Sequence, residues 1–116
     1  PSMTAISWVK AYEESRLRFT VTNKSRIIQH ILGNPRVTIG IIGLGTVFSI
    51  VGRCEILEEK MDGVAMPLSK IEVEIESIFE SMFWGAKITE SPKYEKTYDL
   101  KKAKALDDQV YSALLK

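Results

Sequence analysis

Two stretches of strict alternation constrain this chain most. In Arg16–Thr22, RLRFTVT, the residues Leu17, Phe19 and Val21 fall on one side and Arg16, Arg18, Thr20 and Thr22 on the other. In residues 68–79, LSKIEVEIESIF, the residues Ile71, Val73 and Ile75 alternate with Lys70, Glu72, Glu74 and Glu76. A period of two belongs to a strand with one buried face, so the chain must build a sheet. Basic residues on one strand and acidic ones on the other leave two readings open. Arg16 and Arg18 extend a basic surface, or they pair across the sheet with Glu72 or Glu74.

Between and around these strands the pattern suggests further elements. Residues 4–14 read as a short helix capped by Thr4, with Ile6, Val9 and Lys10 on one side. Asn23 suits an N-cap for a helix over KSRIIQHIL, whose stripe is Ile27, Ile28, Ile31 and Leu32 and which GNP at 33–35 ends. Residues 37–42 are apolar and β-branched, as in a strand buried on both faces with parallel neighbours. Residues 46–60 place Val47, Ile50, Val51, Cys54 and Leu57 at helical spacing. Asp62-Gly63 and Pro67 break the chain. FWGAKIT at 83–89 reads as the hairpin partner of the second alternating strand, with a turn near Glu80 and Ser81. Residues 101–115 read as a terminal helix with Leu106, Val110, Ala113 and Leu114 on its apolar side.

The expected fold class is therefore α/β. It is a small two-layer sandwich in β-α-β-α-β-β order, a mixed four-stranded sheet with two helices on one face, plus terminal helices. The 116 residues form one domain, 1–116, by the usual size range. Its core spans about residues 16–100, and Pro1-Ser2-Met3 looks like an expression remnant before a start near Met3. One cysteine, Cys54, allows no internal disulfide and suits a reducing compartment. No signal-peptide pattern or membrane-length apolar run is visible. The expected location is the cytoplasm, the nucleus or both, with no membrane partner.

The formal net charge is only +1, but it is unevenly placed. Residues 15–54 carry Arg16, Arg18, Lys24, Arg26, Arg36 and Arg53 and no acidic residue, whereas residues 55–80 are mainly acidic. A basic first half is an electrostatic footprint for a polyanion; scattered solvation is the alternative.

IGIIGLGTVFSIVG, residues 39–52, invites a dinucleotide reading at Gly43 and Gly45. The third glycine of G-x-G-x-x-G is Phe48 instead, and such a side chain would hold a helix off its strand. No acidic residue ends a following parallel strand at about twenty positions on, and no P-loop lysine is present. The glycines serve the chain's sharp turn, although amides opening the next element could hold a phosphate. His30 stands alone, Cys54 lies on an apolar stripe, and no Cys/His cluster has metal spacing. Glu72, Glu74 and Glu76 suit solvation or a partner's basic patch better than acid–base chemistry. No enzyme, cofactor or metal is expected.

The stretch IGIIGLGTVFSIVGRCEILEEK resembles the strand-turn-helix signature of the Alba proteins, small dimeric DNA- and RNA-binding proteins. Leu44-Gly45 and Glu55-Ile56-Leu57 carry the match. TVTNKSR is similar to the segment where the family's first strand ends in a lysine-bearing loop. AKITESPKYEKTYDL is similar to its last strand and Ser-Pro-Lys-aromatic exit. The likeness covers residues 16–100, and the element order above is also the family's order. The first helix is shorter than the family's, Leu44 and Thr46 stand where archaeal members are basic, and the tip ESIFESMFWG is acidic and aromatic.

By this resemblance Lys24 contacts nucleic acid, with Asn23 and Arg26 beside it and Gly45 at the strand-two turn. The loop's own chemistry agrees, since a helix N-terminus and two cations favour phosphate; plain solvation is the alternative. Arg16 and Arg18 would lengthen the track. Phe83 and Trp84 would stack on unpaired bases, or be buried in the core or a subunit interface. The expected function is nucleic-acid binding through phosphates, RNA preferred with DNA possible, by a homodimer or a heterodimer with another Alba-like chain. The rival is an interaction subunit of a ribonucleoprotein with weak nucleic-acid affinity of its own.

Overall fold

The computed structural model describes residues 1–116. The elements run β1 (Val9–Glu13), β2 (Arg16–Thr22), α1 (Arg26–Gly33), β3 (Arg36–Gly43), β4 (Thr46–Glu58), β5 (Leu68–Glu80) and α2 (Leu100–Leu114). The strands make one five-stranded sheet in the order β1-β2-β5-β4-β3. Every neighbouring pair is antiparallel.

The sheet is thus neither four-stranded nor mixed. Residues 46–58 form a strand, not a helix. Apolar residues crowd this run so densely that both periods fit it, and its β-branched and aromatic side chains favour the strand. Leu44 (φ 53°) and Gly45 (φ 77°) form the whole connection between the paired residues Gly43 and Thr46. Two residues of positive φ make the tight turn whose twist suits a hairpin. A parallel partner would have needed a far longer crossover, so β3 becomes an antiparallel edge strand rather than a central parallel one. Residues 9–13 are strand, not helix, and 83–89 form no strand.

β2 and β5 are strands as read, but not half-buried: Arg18, Thr20, Lys70 and Glu72 on the polar face are buried too. Phe19 faces Ile71, Leu17 faces Val73, and all four side chains are buried. With Ile50, Cys54 and Val21 they form the larger core, on which α1 lays Ile31, Ile27 and Ile28. On the opposite face α2 packs Val110, Ala113 and Leu114 against Met61 and Leu68. The Arg18 guanidinium donates to the Leu114 carbonyl at 3.1 Å. α1 and the terminal helix α2 therefore cover opposite faces, and the second helix expected beside α1 is strand β4.

Between β4 and β5 the register slips, with Gly52 opposite Ile75 but Val51 opposite Ser77. Glu76 is the extra residue of a bulge that bends the long hairpin. A Cβ on Gly52 would collide with the Glu74 carbonyl and the Val73 side chain, so glycine is required there.

Beyond the bulge neither helix covers the sheet. Ile41 and Ile78 lie exposed on the α1 side, while Ile42 and Phe79 lie exposed on the other.

Candidate phosphate-binding site

β2 and α1 are joined by Asn23, Lys24 and Ser25. The Asn23 amide donates to the Pro67 carbonyl at 2.9 Å and ties the loop to the start of β5. The Ser25 amide donates to the Thr22 carbonyl at 2.9 Å, closing the turn. Ser25, rather than Asn23, is the N-cap: its backbone is extended and its Oγ accepts from the Ile27 amide at 3.3 Å. Both residue types cap well; the Asn23 backbone is committed to β5.

No acidic residue lies in the first turn of α1. Lys24 and Arg26 flank the cap, both exposed and neither in an ion pair with a carboxylate. Two free cations beside the positive end of a helix make a place for an anion.

A cleft of about 210 Å³ opens next to this loop, between residues 4–8 and the end of β2. Its walls carry the hydroxyl residues Thr4, Ser7, Thr20, Thr22 and Ser25, with Ile6, Trp8 and Leu68. Ser25 belongs both to the cap and to the cleft. The Thr20 Oγ1 is buried without a hydrogen-bond partner, an arrangement that usually calls for a partner group or water. Sequence reasoning missed Thr20, Thr22 and this cleft, because β2 alternation marked them only as a polar face.

The other expected site residues are not in this place. Arg18 is buried, with its Nε 3.0 Å from Glu72 Oε2 and its guanidinium 3.5 Å from the centre of the Tyr12 ring. Arg16 bonds Glu13 at 3.1 Å and Glu72 at 3.2 Å. Arg36 bonds Glu76 at 3.2 Å. Arg16 and Arg18 thus pair across the sheet with Glu72, while Lys24, Arg26 and Arg53 of the basic segment stay exposed and outside any ion pair.

Gly45 and Trp84 lie at the far end of the sheet. Gly45 is in the β3-β4 turn, where its carbonyl accepts from the Ile88 amide at 2.6 Å. Phe83 and Trp84 follow the end of β5 and are 71% and 97% exposed, so this chain alone buries neither in a core. The loop adjoins the start of β5 and Trp84 follows its end, which separates them by about 40 Å at the usual strand rise. One nucleotide cannot touch both within one chain.

The remaining reactive side chains sit elsewhere. His30 Nδ1 lies 2.6 Å from the Ser2 hydroxyl. Cys54 is buried, and burial pushes its thiol up to about 11, so it is protonated at neutral pH. No helix is long and apolar enough to cross a membrane.

No family model matches the chain. No curated protein is significantly similar to it.

Proposed function

We propose that this protein is a self-associating module that binds phosphate groups at the loop of Asn23, Lys24, Ser25 and Arg26. Single-stranded RNA is the preferred polymer and duplex DNA the poorer one. The observation that supports this reading is the free pair Lys24 and Arg26 at the capped N-terminus of α1, while Arg16, Arg18 and Arg36 are neutralised by carboxylates. Two cations can hold one or two phosphates but cannot track a duplex over many. A flexible strand or a single nucleotide presents that number, and the hydroxyl-lined cleft beside Ser25 gives its sugar a polar wall. The chemistry is binding, with no reaction assigned.

The test is fluorescence anisotropy with a labelled single-stranded RNA and a matched DNA duplex, with an unlabelled mononucleotide as competitor. The expected result is saturable RNA binding, weaker duplex binding and displacement by the nucleotide. Absence of RNA binding at low salt would overturn the reading.

The self-association in this reading rests on a separate observation. The sheet beyond the bulge exposes Ile41, Ile42, Ile78 and Phe79 on its two faces, beside Leu44 and Trp84 at the tips. Exposed apolar side chains on an uncovered sheet face mark an association site. A second copy related by a two-fold axis would cover one of these faces, that of Ile42 and Phe79, with the same residues. These side chains come from strands β3 and β5. Self-association through this end leaves both phosphate loops free.

A further inference from the structure

A second cleft shares Ser7 and Trp8 with the cleft beside the phosphate loop and opens between them, residues 94–98 and α2. Its volume is about 370 Å³, within the range of small-ligand sites. Four aromatic rings line it, those of Trp8, Tyr94, Tyr98 and Tyr111, together with Ser7, Lys96 and Asp107. Asp107 is the hub: one carboxylate oxygen accepts from the Trp8 indole N–H at 2.7 Å and the other from the Lys96 ammonium at 2.7 Å. Tyr111 is fixed by its hydroxyl, which donates to the Ser7 carbonyl at 3.1 Å. A carboxylate in a cleft lined by aromatic side chains suits a cation, which the carboxylate binds by charge and aromatic rings can attract.

We infer that this cleft is an organic-cation site, that its ligand class is an alkylammonium such as an amine on a partner's lysine side chain, and that Lys96 occupies it in cis. Three features support the assignment. The only full positive charge in the cleft is the chain's own ammonium, placed on the carboxylate. Lys96 reaches it from an irregular segment rather than from a helix or strand, so it can withdraw without unfolding the sheet. Tyr94 is 84% exposed, a large aromatic held at the mouth with no core to fill. A competing ammonium must displace Lys96, which makes the free cleft a higher-affinity site than the occupied one.

The Trp8 indole N–H is bonded to Asp107 and reports directly on it, so its proton–nitrogen NMR signal is the readout. The Trp84 indole, remote from the cleft, serves as the internal control. The probes are n-butylammonium and tetramethylammonium chloride, with sodium chloride at matched ionic strength. In Lys96→Ala, saturable movement of the Trp8 signal alone is expected, at an affinity about tenfold above the wild type, equivalent to about 1.4 kcal/mol. Asp107→Asn in the same background should abolish it. Tyr94→Ala, at an exposed position, provides a second variant should Asp107→Asn fail to fold, and it should weaken binding severalfold. No saturable shift in Lys96→Ala, or equal shifts of both indoles, would overturn the inference. So would equal binding in the Lys96→Ala and wild-type proteins, or binding unaffected by both Asp107→Asn and Tyr94→Ala.

Discussion

The guanidinium of Arg18 and the carboxylate of Glu72 meet across β2 and β5 at 3.0 Å, and both residues are buried. Glu72 also receives Arg16, so one carboxylate neutralises two cations of the basic first half. Removing one member of such a buried pair leaves a charge without compensation. Glu72→Ala should destabilise the fold by about 3–5 kcal/mol, read as a lower urea midpoint. Arg16→Gln, half-exposed, should change stability by under about 1 kcal/mol and leave RNA affinity nearly unchanged. Loss of RNA affinity in Arg16→Gln would return that residue to the binding surface.

Gly52 sits where the β5 bulge brings the Glu74 carbonyl against β4. Gly52→Ala requires the hairpin to shift and should destabilise by about 3 kcal/mol, the upper range for overpacking. Gly40, on the adjacent strand with open space around it, is the comparison. Gly40→Ala should be near neutral in the same urea titration.

Leu44 adopts positive φ at the tip of the β3-β4 hairpin and is 95% exposed. A leucine there is locally unfavourable, whereas asparagine suits the same turn. Leu44→Asn should raise stability by about 1 kcal/mol, visible as a higher melting temperature, without altering the RNA titration.

The exposed far end of the sheet makes a prediction about assembly. Phe79→Lys places a charge on the apolar patch and should raise the dimer dissociation constant about a hundredfold or more, as for a central contact. Light scattering over a concentration series checks it. A wild-type chain that stays monomeric at every concentration would remove self-association from the account.

Lys96 and Asp107 give opposite pH dependences. The Lys96 hydrogen bond, followed by that of Trp8, holds the Asp107 carboxyl below its usual range. Its contribution is present above the unfolded pKa and is lost as pH falls through the lowered folded value. The hydrogen bond to Asp107 raises the Lys96 ammonium. Its contribution is full below the unfolded pKa and is lost as pH rises through the raised one. Asp107→Asn should therefore lower stability most near neutrality, where both contributions are present, and least at acid and strongly alkaline pH, where the wild type has already lost them.

β2 and β5 were legible as strands because their residues alternate strictly, although both of their faces are buried where they pair. The terminal helix was legible as well, through its buried Val110, Ala113 and Leu114. β4 was not, since its dense apolar residues satisfy a helical period and a strand period alike. What decided it was the Leu44-Gly45 turn, whose positive φ values emerge only in the folded hairpin. At the candidate site, Lys24 and Arg26 were legible as cations opening a helix. The fate of Arg16 and Arg18 depended on a strand pairing over more than fifty residues, and the cleft at Thr20 depended on where residues 4–8 pass.

The most direct test of phosphate binding at this loop is the salt dependence of single-stranded RNA affinity for the wild type and for Lys24→Glu with Arg26→Glu. Two phosphate contacts at one loop predict a log–log slope of about −1.4 for the wild type. The double variant should lose at least about tenfold in affinity at low salt, with its slope falling toward zero. The same affinity and slope in both proteins would contradict the account.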